Sequence, residues 1–112
     1  MTQGNVMQTV RQYKKPFSQF VKKQPRPFRA IIEDEVSLIC EQPDIGEMKV
    51  GDLAGIRVHK FRFNRQEYLI AYHLPDNTQA VQILTIDFYQ IGTHERFYED
   101  LKHYLRASGW YA

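Results

Sequence analysis

Two spacings of apolar residues alternate along the chain. Phe17, Phe20 and Val21 stand three and four positions apart, and so do Phe28, Ile31, Ile32, Val36, Ile39 and Cys40. That spacing marks one face of an α-helix. Pro16 suits the first turn of the earlier helix, which should stop before Pro25. Pro27 opens the second helix, with Arg29, Glu33, Asp34 and Glu41 off its apolar stripe, and Pro43 ends it. Ahead of this helical hairpin, residues 1–5 are polar and loose, and Val6 to Gln12 mixes β-branched and polar residues as an edge strand does.

After Pro43 the period changes. Pro43 to Gly55, with three glycines, reads as a loop that can carry some strand at its end. Ile56 to Asn64 reads as a strand in which Phe61 and Phe63 face one side and Lys60, Arg62 and Asn64 the other. Arg65-Gln66 makes a turn, and Glu67 to Leu74 is nearly continuous in apolar residues, as a central strand is. Pro75-Asp76-Asn77-Thr78 is a second turn, and Ala80 to Phe88 a third strand. The last helix spans about Glu95 to Ala107, with Phe97, Tyr98, Leu101, Tyr104 and Leu105 on one face and Gly109 at its end. The expected fold is α+β, in the order β-α-α-β-β-β-α. An antiparallel meander sheet carries the helical hairpin, in one domain over residues 1–112. Phe61, Phe63, Ile70, Tyr72, Ile83 and Leu84 should be buried, with Lys60 and Arg62 on the opposite, accessible face.

Composition narrows the class. Hydrophobic residues make up 43% of the chain, enough for a core. No apolar run approaches the ~20 residues of a membrane span, and no secretory signal pattern is visible. The one cysteine, Cys40, excludes an internal disulfide and reads as a buried small apolar residue. A cytoplasmic protein is expected. The net charge is only +2, but residues 1–32 carry seven cations and no acid. Arg57, Lys60, Arg62 and Arg65 form a second basic set in the first central strand and its turn. Such local density favours phosphate or an acidic partner, although solvated faces also carry such charges.

Metal-free RNA cleavage needs a base for the 2′-hydroxyl, cations for the scissile phosphate and an acid for the leaving 5′-oxygen. Glu47 or His94 could be the base, Lys60 and Arg62 the clamp, and His94 or Tyr98 the acid. Each has a plainer reading: a histidine at a strand–helix junction is often a cap, and a tyrosine on an apolar helix face is often core. His59, His73, His94 and His103 show no paired ligand spacing, so no metal site or cofactor is expected.

Three segments carry a family resemblance. They are Gly51-Asp52-Leu53-Ala54-Gly55-Ile56-Arg57-Val58-His59-Lys60-Phe61, then Tyr68-Leu69-Ile70-Ala71-Tyr72, then Gly92-Thr93-His94-Glu95-Arg96-Phe97-Tyr98-Glu99-Asp100-Leu101-Lys102. Together with Phe17 to Lys23 they resemble the RelE/ParE superfamily of toxins from type II toxin–antitoxin systems, over most of the chain. The resemblance implies a ribosome-dependent endonuclease that cuts mRNA and is neutralised by a cognate antitoxin, in a toxin–antitoxin hetero-oligomer. The two strand lysines of the RelE pattern fall on Lys60 and Arg62, its late arginine on His94 and its tyrosine on Tyr98. The glutamate base of YoeB-type toxins falls on Glu47, and YoeB- and HigB-type toxins also use a late histidine. The implied catalytic set is therefore His94, Tyr98, Glu47, Lys60 and Arg62. Lys49, Arg57, Arg65 and Arg96 are expected to contact RNA, and Lys22 and Lys23 the antitoxin. The pattern's remaining arginine falls on Leu69. Loss of that cation implies a substitute among Arg57, Arg65 and Arg96, or weaker or absent cleavage. Two other readings use the same fold: a ParE-like inhibitor of DNA gyrase, and a catalytically degenerate protein-binding module.

Overall fold

The computed structural model describes residues 8–74 and 83–110. Strand β1 (Gln8–Tyr13) leads into helices α1 (Lys15–Lys22) and α2 (Arg26–Glu41). The short β2 (Glu47–Met48) and a 3₁₀ turn at Gly51–Leu53 follow, then β3 (Ile56–Phe63), β4 (Gln66–His73), β5 (Ile83–Gly92) and α3 (Phe97–Ala107). Pro16 and Pro27 both sit in first turns, where a missing N–H costs no helical hydrogen bond.

The sheet order is β1-β5-β4-β3-β2. β3, β4 and β5 form the expected antiparallel meander, but the sheet as a whole is mixed, because β1 lies parallel to β5. The helical hairpin is the crossover that carries the chain from one sheet edge to the other, which a tight turn could not do. β2 adds antiparallel to the outer side of β3.

Helices cover both faces, giving three layers. On one face Phe28, Ile32, Val36 and Ile39 of α2 and Phe17 of α1 pack on Phe61, Ile70, Tyr72, Ile86, Phe88 and Ile91. The Phe28 ring stacks on Phe63 at 4.5 Å between centroids. On the other face Phe97, Leu101 and Leu105, one per turn of α3, close over Leu53, Ile56, Val58, Leu69, Ala71 and Tyr89. Strand alternation therefore separates β3 cleanly: Phe61 is buried, while Lys60 and Arg62 are exposed on the α3 side. Ile70 and Tyr72 are buried as expected, and Phe63 and Leu84 are half-buried. The Ile83 side chain, the turn at Pro75–Thr78 and residues 1–7 lie outside the described residues. Cys40 is half-buried rather than buried, with burial pushing its thiol pKa up.

Three boundaries differ from expectation for identifiable backbone reasons. The β3–β4 turn is Asn64-Arg65, both left-handed at φ 54° and 66°, which is the two-residue hairpin geometry that matches strand twist. β5 continues four residues past Phe88 to Gly92. It does so through a bulge: Tyr72 pairs with Phe88 and Ala71 with Gln90, leaving Tyr89 as the extra residue. Both Tyr89 and Gln90 then serve the α3 side, Tyr89 in the core and Gln90 donating its amide to the Phe97 carbonyl at 2.8 Å. α3 begins at Phe97 rather than Glu95, because Arg96 at φ 60° interrupts helical geometry. No helix among the described residues is long and apolar enough to cross a membrane.

Candidate active site

Of the residues singled out by sequence, Glu47, Lys49, Lys60, Arg62, His94 and Tyr98 share the α3-side sheet face, part of which α3 leaves open. The register explains why. Arg62 pairs with Glu67 across β3–β4. The β4–β5 ladder ends with Leu69 opposite Gly92, and His94, two residues beyond it, reaches Glu67 by side chain. Arg62 and Glu67 thus form one cross-strand row with His94 at its end, and Lys60 stands in the next row beside Leu69. The His94 Nε2 lies 2.6 Å from Glu67 Oε1, with the imidazole 52% exposed. The Glu67 carboxyl is held below its ordinary range, first by the His94 hydrogen bond, then by the charges of His94, Lys60 and Arg62 against some desolvation. Arg62 also donates to the Arg65 carbonyl at 3.0 Å, folding back over the turn.

Glu47 and Lys49 approach the same face from β2 and the residue after it. Glu47 pairs with Val58 and so shares a face with Lys60, two residues along. Lys49 Nζ is 3.0 Å from Glu47 Oε1 and 5.3 Å from the centre of the Tyr98 ring, a cation–π arrangement. The Lys49 ammonium holds the Glu47 carboxyl low by hydrogen bond and charge, with a smaller contribution from Lys60. In turn Glu47 and Tyr98 push the Lys49 pKa up. Lys60 thus acts on both carboxylates and links the Glu47–Lys49–Tyr98 group to the His94–Glu67 group.

Glu47 depends on a pinned loop. The buried Tyr72 hydroxyl donates to the Pro43 carbonyl at 2.6 Å and accepts from the Gly46 N–H at 2.9 Å. Gly46 is required there: a Cβ would stand 2.8 Å from the Tyr72 ring and hydroxyl. The Arg57 guanidinium donates to the carbonyls of Asp44 and Gly46 at 3.1 and 2.8 Å.

That contact sets Arg57 apart from Lys60 and Arg62. It alternates with Ile56 and Val58 of the α3-side core, so its side chain belongs to the hairpin face, where it clamps the loop. Arg96 lies beyond the row and pairs with Glu99 and Asp100 of its own helix, at 3.1 and 3.5 Å. Arg65 is exposed at the hairpin tip. Leu69, the position of the missing cation, is fully buried under α3, so its side chain is core. Lys22 and Lys23 are exposed at the end of α1, away from this face, and Lys22 joins Tyr13, Phe17, Val21 and Arg29 around a groove of about 290 Å³ between the hairpin helices. No group of three metal-ligating side chains occurs among the described residues. Sequence reasoning missed Glu67. The signal was the hairpin register, since moving the turn to Asn64-Arg65 pairs Glu67 with Arg62 on the cationic face.

Residues 10–102 match the family model described as the ParE-like toxin of type II bacterial toxin–antitoxin systems. No curated protein sequence matches. Among solved structures, the chain resembles one in the intact E. coli RelBE toxin–antitoxin complex. The identity is 16%, with 78% of this chain and 98% of that one covered and a TM-score of 0.57. It also resembles the isolated E. coli RelE toxin in its P21 form, at 15% identity, 86% and 98% coverage and a TM-score of 0.53. At these identities the likeness is one of fold, and the family match adds the rest: the chain belongs to the ParE-like toxins of type II toxin–antitoxin systems, within the RelE/ParE superfamily.

Proposed function

We propose that this toxin is an endoribonuclease that cuts mRNA on the ribosome without a metal, and that residues 1–112 act as one catalytic domain in the cytoplasm. The observation that carries the reading is that one sheet face holds both the Glu47–Lys49–Tyr98 group and the Glu67–His94 group, with Lys60 and Arg62 on the β3 strand between them. In this reading a base on this face takes the 2′-hydroxyl proton and the 2′-oxygen attacks phosphorus. Lys60 and Arg62 neutralise charge on the non-bridging oxygens. The bond from phosphorus to the 5′-oxygen breaks, and His94 delivers a proton to that oxygen. The products are a 2′,3′-cyclic phosphate and a free 5′-hydroxyl. Tyr98, held by Lys49, offers a ring against which a base or sugar can rest.

The partner in this reading is a cognate antitoxin, by likeness to the RelBE complex. The groove beside Lys22 and Lys23, with Arg29 on its rim, suits an acidic segment with apolar anchors that folds on binding. A second reading has one observation in its favour: the matching family is described as ParE-like, and Leu69 lacks the expected cation. There the chain inhibits DNA gyrase by binding. A purified translation reaction with mRNA ends mapped by primer extension, beside a gyrase supercoiling assay, separates the two. New mRNA ends with normal supercoiling support the nuclease, and intact mRNA with blocked supercoiling supports the alternative.

A further inference from the structure

We infer that Glu67 is a positioning residue for His94: it holds one ring nitrogen so that the other, Nδ1, faces the RNA. The inference rests on the nuclease reading above and adds a residue to it. The geometry is specific. His94 and Glu67 meet through Nε2 at 2.6 Å, just beyond the point where the β4–β5 ladder ends with Leu69 opposite Gly92. Glu67 stands between Arg62 and His94 in the row, within the electrostatic reach of Lys60. His94 follows Gly92 and Thr93, outside regular structure, so no helix or strand geometry of its own fixes its side chain. A carboxylate accepting from Nε2–H fixes the ring plane and leaves Nδ1 as the only ring nitrogen available to substrate.

Two plainer roles make opposite demands. As a stabilising ion pair, Glu67–His94 is weak, because both partners are partly exposed, at 52% and 35% for the side chains, and such pairs contribute little. As part of an RNA-binding surface, Glu67 is counterproductive, since it sets a negative charge in a row otherwise suited to phosphate. A surface built only for binding would do better with a neutral residue there. Orientation of His94 is the role that a carboxylate fills and an amide fills poorly.

The opposing demands give a test with split readouts. Glu67→Gln should leave the melting temperature unchanged. In the free toxin, the His94 Nε2–H resonance should be seen by NMR in wild type and lost in the variant. In the translation reaction, kcat for mRNA cleavage should fall about 10²-fold, the scale expected when a reacting group is misplaced by about 1 Å. KM should stay equal or fall, because a repulsive charge has gone. Lys60→Ala should behave in the opposite sense, raising KM and weakening its salt dependence. Wild-type cleavage with an unchanged kcat in Glu67→Gln overturns this inference and leaves the nuclease reading intact. No cleavage by wild type overturns that reading and, with it, the positioning role. A wild-type His94 Nε2–H as exchange-labile as in the variant overturns the pairing without any use of RNA.

Discussion

Replacing Tyr72 by phenylalanine isolates the hydroxyl that holds the Glu47 loop. The ring stays in the hairpin-side core, so no apolar volume is removed. What goes is a 2.6 Å bond to the Pro43 carbonyl and a 2.9 Å bond from the Gly46 N–H. Each is worth about 1 kcal/mol net, and the Gly46 N–H, left without its acceptor in a buried position, carries a desolvation penalty of about 1–3 kcal/mol. The expected loss is about 2–3 kcal/mol, or about 8–24 °C in melting temperature at roughly 4–8 °C per kcal/mol for a domain near this size. Arg57 clamps the same loop, so Tyr72→Phe combined with Arg57→Ala should depart from additivity. Urea unfolding of the two single variants and the double variant measures both quantities. A loss below about 0.5 kcal/mol in Tyr72→Phe would show that the hydroxyl does not hold the loop, and the account of how Glu47 is placed would fail.

Other outcomes follow from the same structure. Leu69→Arg, which restores the cation of the RelE pattern, should cost about 4 kcal/mol or more by burying a charge under α3, and a melt within a few degrees of wild type would refute Leu69 as core. Burial pushes the His73 pKa below its ordinary 6.5, with Asp87 partly opposing. Its contribution to stability is therefore present above pH 6.5 and lost as pH falls through the folded value, so His73→Gln should flatten the decline in urea midpoint below pH 6.5. Lys22→Glu with Lys23→Glu should weaken binding of the cognate antitoxin by about tenfold and reduce its salt dependence, and calorimetry showing unchanged affinity would remove the hairpin from that interface.

Side-chain period made most of this fold legible. The stripe from Phe28 to Ile39 and the alternation from Lys60 to Phe63 identify which residues are buried and which face solvent, because burial follows period directly. What the pattern does not carry is backbone irregularity. The Asn64-Arg65 turn, the bulge at Tyr89 and the left-handed Arg96 each shift register or direction by one or two residues, and none uses the glycine that usually announces such geometry. The candidate site was legible to the same extent. Lys60, Arg62, Tyr98, Glu47 and His94 could be named from residue type and family pattern. Glu67 needed the hairpin register, and moving Arg57 to the other face needed the strand's start at Ile56 within the α3-side core.

The most direct test of the central claim is the rate of mRNA cleavage by His94→Ala in a purified translation reaction, with ends mapped by primer extension. A proton-transfer residue contributes about 10²–10⁴-fold, so cleavage should fall by that order while folding and antitoxin binding stay intact. Cleavage by His94→Ala at the wild-type rate would contradict the account, leaving His94 a structural residue and the open face without its proton donor.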